Sequence, residues 1–273
     1  MPTVGRFRYL EAVPKGAPSS PGRPGGVHGT LLMIHGFPLS ARMWEPQLEL
    51  ANRGWHVVAP QLRGFDGPPA EHVATSVDDY AGDLIDLIDA LHIEQAVICG
   101  LSMGGYIAFA MFRHAPRYFR GLILADTRAE ADAPAGVEGR KRMIQLVRDK
   151  GASAAADEIL PKLVGDTTRA SRPDVAEQVR GFILSNSTET IVGALTALMT
   201  RPDSTPLLSQ IHCPTLVVVG EEDALTPPAM SEAIKRGIAQ AELAVIPGAG
   251  HMSNLEQAAA FNLALARFLE YRV

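Results

Sequence analysis

The stretch VICGLSMGGYIAFA, residues 97–110, decides how the rest of the chain is read. A knot of glycines surrounds one serine, Ser102, and apolar residues run away on both sides. The 17-residue run 96–112 carries no charged residue. Three readings compete for it: a membrane span, an ordinary buried strand and helix, or a strained turn that pushes Ser102 out to do chemistry. The run falls short of the roughly 20 apolar residues a spanning helix needs, and Gly100, Gly104 and Gly105 interrupt it. Strand, turn and helix remain, and the rest of the chain shows what the turn is for.

Short apolar runs recur outside this segment, each closed by a turn signal. They lie at 31–34 before His35-Gly36, 57–59 before Pro60, 96–99 before Gly100, 122–125 before Asp126, 215–219 before Gly220 and 243–246 before Pro247. Runs rich in Val, Ile and Leu without polar alternation belong to strands buried on both faces, hence to a parallel sheet. Helical patterns lie between them. Segment 76–92 opens on Ser76 as an N-cap and puts Tyr80, Leu84, Leu87, Ile88 and Leu91 on one face. Its aspartates, at 78, 79, 83, 86 and 89, read as a solvated outer face rather than a metal cluster. A second helix, 103–114, is stopped by Pro116. Alternating strands and helices predict an α/β fold with a doubly wound, mostly parallel sheet.

That alternation breaks between about 128 and 208. Helical stretches at 137–150, 153–164, 174–185 and 188–200 follow one another with no convincing strand among them. The expected organisation is a core of residues 1–127 and 208–273 with a helical cap, 128–207, inserted over the carboxyl ends of the strands, where open parallel sheets bind ligands. The Pro/Gly/Ser-rich segment 14–26 reads as an exposed loop between the first two strands.

Composition narrows the class. The chain has 273 residues, 47% hydrophobic and 20% charged, as a soluble globular protein does. A net charge of −5 argues against nucleic acid or an anionic membrane as the main partner. The basic cluster Gly139-Arg140-Lys141-Arg142 sits in a helical pattern and reads as a solvated face. The opening MPTVGRFRYL has neither the basic nor the apolar region of a signal peptide, so a cytoplasmic location is expected. Cys99 and Cys213 fall in apolar runs as buried free thiols, too few and too poorly accompanied by His for a metal site.

Gly100-Leu101-Ser102-Met103-Gly104 fits G-x-S-x-G, a pattern a chain this long carries by chance about one time in ten. Context gives it weight, since a strand runs directly in and a helix directly out. Such a turn holds the serine strained with its hydroxyl projecting above the sheet. A serine needs a base, and the base an orienting carboxylate. His251, in the glycine-rich loop after the last strand, is the candidate base. Asp223, just past the strand 215–219, is the natural acid, with Asp126 as a rival. The order Ser, Asp, His is the one this topology places together. Two backbone N–H donors for a developing oxyanion are expected at Met103 and at Phe37. His35 is assigned a structural role in the Phe37 loop.

HGFPLSARMW (35–44), GLSMGGYIAFA (100–110), GEEDALTPP (220–228) and GAGHMSNLEQ (248–257), in this order and spacing, resemble the α/β-hydrolase superfamily over essentially the whole chain. LADTRAEAD (124–132) and LPKLV (160–164) look like the small cap-bearing esterases and lactonases, a branch that includes enol-lactonase-like enzymes, carboxylesterases and lactonases of N-acyl homoserine lactones. Two positions depart from that pattern: Gln61 stands where relatives usually place Asp, and Asp66 where they usually place Gly. The resemblance implies no metal or organic cofactor, a small-molecule ester or lactone as partner, and leaves a homo-oligomer open. Pocket candidates beside Phe37 and Met103 are Trp44, Met143, Leu146, Leu160, Leu163, Phe182, Leu195 and Met199. The expected activity is ester hydrolysis through an acyl-enzyme on Ser102. Lactone opening is the alternative; perhydrolysis, C–C bond hydrolysis and a non-catalytic receptor rank lower.

Overall fold

The computed structural model describes residues 1–15, 28–67 and 71–273, so most of the 14–26 segment lies outside it. Two N-terminal strands, β1 (Thr3–Val4) and β2 (Phe7–Ala12), pair antiparallel with each other, and β2 pairs antiparallel with β4. The unbroken apolar runs become β3 (Gly29–Ile34), β4 (Trp55–Pro60), β5 (Ala96–Leu101), β6 (Phe119–Ala125), β7 (Thr215–Gly220) and β8 (Glu242–Ile246). The spatial order is β1-β2-β4-β3-β5-β6-β7-β8, and every pairing from β4 to β8 is parallel. The doubly wound, mostly parallel sheet predicted from the sequence is therefore the observed one.

Each of β3, β4, β5 and β7 is buried at every residue, because helices cover both faces of the sheet. Each fully buried Val, Ile or Leu there contributes about 1.5–3 kcal/mol. The exception is β8. Among the described residues no strand lies beyond it, so Val245 is 45% exposed and Ile246 alone of its residues is buried. Burial on both faces, expected for 243–246, fails at the sheet edge.

The first helix, α1 (Val77–Ala90), begins with a capping box in which Ser76 and Asp79 satisfy each other's backbone N–H groups. Its predicted apolar face is buried. Its polar face is not wholly solvated, however: Asp83 is buried and accepts hydrogen bonds from Arg6 at 2.8 Å and from Arg63 Nε at 2.7 Å. The α2 helix (Met103–His114) follows β5 with only Ser102 between them.

Between β6 and β7 lie α3 (Pro134–Leu163), α4 (Asp166–Ser171), α5 (Pro173–Leu184) and α6 (Thr188–Thr200). The two helices expected at 137–150 and 153–164 meet in α3 at Gly151, whose φ of 74° breaks the helix. The insertion closes at its base, where Ser204 N–H donates to the Ala129 carbonyl at 2.8 Å. Beyond β7 come α7 (Pro228–Gly237), α8 (Ser253–Glu256) and α9 (Ala258–Tyr271). The end of α3 is tied to the loop after β8: Met252 N–H donates to the Leu163 carbonyl, and Gly165 N–H to the buried Glu256 carboxylate at 2.9 Å.

Among the described residues no single helix is long and apolar enough to cross a membrane. Both cysteines are free; Cys99 is buried in β5, but Cys213 is half-buried and precedes β7 rather than lying in it.

Candidate active site

The site starts from the turn between β5 and α2. Ser102 has φ 55° and ψ −114°, a conformation an L-residue occupies at a cost of roughly 1–3 kcal/mol. The turn closes only because its flanks lack side chains. A Cβ on Gly100 would stand 2.2 Å from the Gly104 carbonyl oxygen, and one on Gly104 would stand 2.2 Å from the Ile34 carbonyl oxygen. Both obstacles are backbone and cannot swing aside. Gly104→Ala is therefore expected to destabilise the protein by about 3 kcal/mol or more, measured as a drop in thermal midpoint. Gly82→Ala is the matched control: its Cβ meets nothing within 4 Å, so a helical position gains up to about 1 kcal/mol. An unchanged midpoint in Gly104→Ala would mean the turn is not packed this tightly.

Above the turn, Ser102, His251 and Asp223 form a line of contacts. Ser102 Oγ donates to His251 Nε2 at 2.8 Å, and His251 Nδ1 donates to Asp223 Oδ2 at 2.8 Å. The carboxylate is fixed in turn: Oδ1 accepts from the Leu225 and Thr226 amides at 2.8 and 2.9 Å, and Oδ2 accepts from the Thr226 hydroxyl at 2.6 Å. Burial alone would raise the Asp223 pKa. The His251 charge and these hydrogen bonds outweigh it and hold the carboxyl at about 2. Burial likewise opposes a charge on His251, but the adjacent Asp223 carboxylate reverses the sign and raises its pKa above the ordinary value.

Asp126, the rival acid, points elsewhere. It accepts from Gly220 N–H at 2.8 Å and from the Ser253 hydroxyl, joining β6 to β7 and α8. Full burial, with the Asp223 charge nearby, pushes its pKa well above the carboxylate range.

His35 is buried, and burial lowers its pKa to about 4, so its ring is neutral. Its Nδ1 donates to the Gly36 carbonyl at 3.0 Å while Nε2 accepts from Leu62 N–H at 3.2 Å. The ring thereby ties the loop after β3 to the loop after β4. Gln61 serves the same junction, accepting from Ala41 N–H at 3.1 Å and approaching His35 Nε2 at 3.4 Å. Asp66, the other departure, has φ 45°, which explains why glycine suits that position and why aspartate, a residue tolerant of left-handed backbone, can replace it. Neither the Phe37 nor the Met103 amide is engaged in the turns and loops around Ser102, and Met103 is the first residue of α2, where N–H groups lack an intrahelical partner.

These groups open into a cavity of about 720 Å³. Of the pocket candidates, Phe37, Met143, Leu146, Leu163 and Leu195 line it; Trp44, Leu160, Phe182 and Met199 do not. Trp44 is core, packed 6.1 Å from the Phe261 ring, and Phe182 packs beneath the Arg42 guanidinium at 5.7 Å. Leu160 is half-buried against the core, and Met199 is half-buried. Met103 is fully buried in the turn, so only its backbone can serve the site.

Lining residues not anticipated include Tyr106, Thr226 and several charged side chains: Arg128, Asp132, Arg140 and Lys162. Tyr106 was detectable in principle, since position 106 lies one helical turn past Ser102. Arg140 and Arg142 line the cavity too; Lys141 and Arg142 are exposed, as their basic cluster reads in sequence, while Arg140 is half-buried.

A buried parallel sheet that lifts a serine onto a histidine backed by a carboxylate defines an α/β-hydrolase architecture. The sequence pattern of the alpha/beta hydrolase family matches residues 31–264, and the chain belongs to that family. It is 28% identical over 235 residues to 3-oxoadipate enol-lactonase 2 of Acinetobacter baylyi, with 86% of each chain covered. Among solved structures, a thermophilic esterase from Thermogutta terrifontis superposes with a TM-score of 0.88 at 37% identity, covering 97% of this chain and 93% of that one. An enol-lactonase from Burkholderia xenovorans LB400 superposes at 0.85 with 25% identity, covering 97% and 96%.

Proposed function

We propose that the protein hydrolyses carboxylic esters, with Ser102 as nucleophile, His251 as base and then acid, and Asp223 as the group that orients and charges the imidazole. The observation that carries this is the pair of 2.8 Å contacts running from Ser102 through His251 to Asp223 beside a cavity of small-molecule size. Ser102 Oγ attacks the acyl carbon while its proton passes to His251 Nε2. The amides of Phe37 and Met103 donate to the resulting oxyanion. Collapse of this intermediate releases the alkoxide, which takes the proton from His251, and water repeats the sequence on the acyl-enzyme to free the acid and Ser102.

The cavity volume is in the range of small-molecule sites, which favours short or medium acyl esters over long insoluble ones. A lactone is an ester whose alcohol stays tethered, and the same attack opens its ring. The enol-lactonases among the relatives support that second reading. The test is a fluorophosphonate probe together with p-nitrophenyl esters of rising chain length and simple lactones. Covalent labelling of the peptide containing Ser102, with turnover of short to medium esters or of lactones, is expected. No label and no turnover on any of them would overturn the reading.

A further inference from the structure

The cavity beside Ser102 is cationic in a chain that is anionic overall. Arg128, Arg140, Arg142 and Lys162 line it against two carboxylates, Asp132 and Glu158, the latter paired with Lys162 at 2.8 Å, while the whole chain carries −5. Most of that excess is concentrated around one residue. The Asp132 side chain is 1% exposed and holds three guanidiniums: Oδ1 accepts from Arg201 Nη2 at 2.9 Å and from Arg128, and Oδ2 from Arg140 Nε at 2.6 Å.

One carboxylate neutralises one of three cations, so two positive charges remain. The three arginines are not equivalent. Arg201 does not line the cavity: its side chain is 3% exposed, it donates also to the Leu198 and Glu130 carbonyls, at 2.6 and 3.0 Å, and lies over the Tyr106 ring at 4.2 Å, with its Nε left without a partner among the described residues. The other two face the cavity. Arg140 reaches Asp132 through Nε and makes no hydrogen bond through its terminal nitrogens among the described residues. The Nε of Arg128 is buried with no hydrogen-bond partner among the described residues.

A buried guanidinium N–H without an acceptor, beside a surplus of like charge, is costly unless something anionic answers it. The planar fork of arginine matches the paired oxygens of an oxyanion such as a carboxylate. Resting on the ester-hydrolase reading above, we propose that the natural substrate carries a free carboxylate in addition to its ester bond, held in the cavity by Arg128 and Arg140. The substrate class is then the hemiester of a dicarboxylic acid, the ester of a hydroxy acid, or a lactone with a carboxylate arm. The neutral alkyl esters used to survey such enzymes are poorer substrates. Asp132 serves as the counter-charge that keeps both guanidiniums aimed inward, with Arg201 as the fixed post behind it.

The experiment compares matched charged and neutral substrates. One pair places the charge on the acyl side, p-nitrophenyl hydrogen glutarate against p-nitrophenyl methyl glutarate. The other places it on the alcohol side, 4-acetoxybutyrate against 4-acetoxybutyramide. In one of these pairs kcat/KM for the charged member should exceed that of the neutral one by about 10–100-fold, the range of a charge-assisted hydrogen bond. The ratio should fall toward one in Arg128→Met and in Arg140→Met, each of which leaves Asp132 two arginine partners. It should also shrink as salt is raised.

Binding of glutarate measured by calorimetry, against glutaramide, reads the same site without turnover. Neutral esters turned over with no charge preference in either pair and no glutarate binding would overturn the carboxylate site. A preference that survives in both variants would overturn its assignment to these arginines. Glutarate bound in an arginine-dependent way, with no ester or lactone hydrolysed, would instead overturn the ester-hydrolase reading and leave the anion site standing.

Discussion

Ser102→Ala is expected to lower ester turnover by about 10⁴- to 10⁶-fold while the protein stays folded, because the attacking oxygen is removed and only the oxyanion donors and the cavity remain. Turnover within tenfold of the parent would end the assignment of Ser102 as nucleophile. A sharper form uses the strain at this residue. With φ 55° and ψ −114°, Ser102 occupies backbone space that glycine enters freely and serine does not. Ser102→Gly therefore recovers roughly 1–3 kcal/mol of strain, against about 0.5–1 kcal/mol lost because a glycine is freer in the unfolded chain. The glycine variant should be as inactive as the alanine variant and melt at or above its midpoint. A glycine variant clearly less stable than the alanine one would show that the turn stores no strain at position 102. Together the two variants separate what the serine does for chemistry from what it costs the fold.

The legibility of this molecule follows burial. Strands buried on both faces, such as β5, appear in the sequence as unbroken apolar runs, because no residue in them meets water. The edge strand β8 and the short antiparallel β1 are buried on fewer sides and leave weaker traces. Glycines at 100 and 104 mark the turn since a Cβ at either would strike backbone, a constraint that composition records directly. Cavity lining is harder, because helices α3 and α6 each have apolar faces toward both the core and the cavity. Apolar periodicity gives the stripe without the neighbour, which is why Leu163 and Leu160 could not be told apart. Arg140 departs from the solvated reading for a related reason, whereas its neighbours Lys141 and Arg142 are exposed as expected. A basic cluster in a helix is solvated by default, and nothing local to Arg140 announces a buried aspartate at position 132 waiting for it.

Asp223→Asn is expected to cost about 10⁴-fold in kcat with little change in fold, and its pH profile identifies the cause. The asparagine oxygen can still accept from the Leu225 and Thr226 amides, so the loop keeps its shape. Its NH₂ then faces His251 Nδ1 and favours the tautomer that carries the proton on Nε2. That nitrogen can no longer accept from Ser102. The sign of the pH effect follows from the same contact. His251 must be neutral to take the serine proton, so kcat/KM falls as pH drops through its pKa, which the Asp223 carboxylate raises above the ordinary 6.5. Without that carboxylate, burial is left to act in the opposite direction, and the acid limb of the residual activity should move below its parental position. Asp126 is poorly placed to substitute, being engaged by Gly220 and Ser253 and driven toward the neutral form by burial. Asp126→Asn should accordingly keep the parental acid limb and most of the activity. The opposite pair of results, Asp223→Asn active and Asp126→Asn dead, would transfer the acid role to the end of β6.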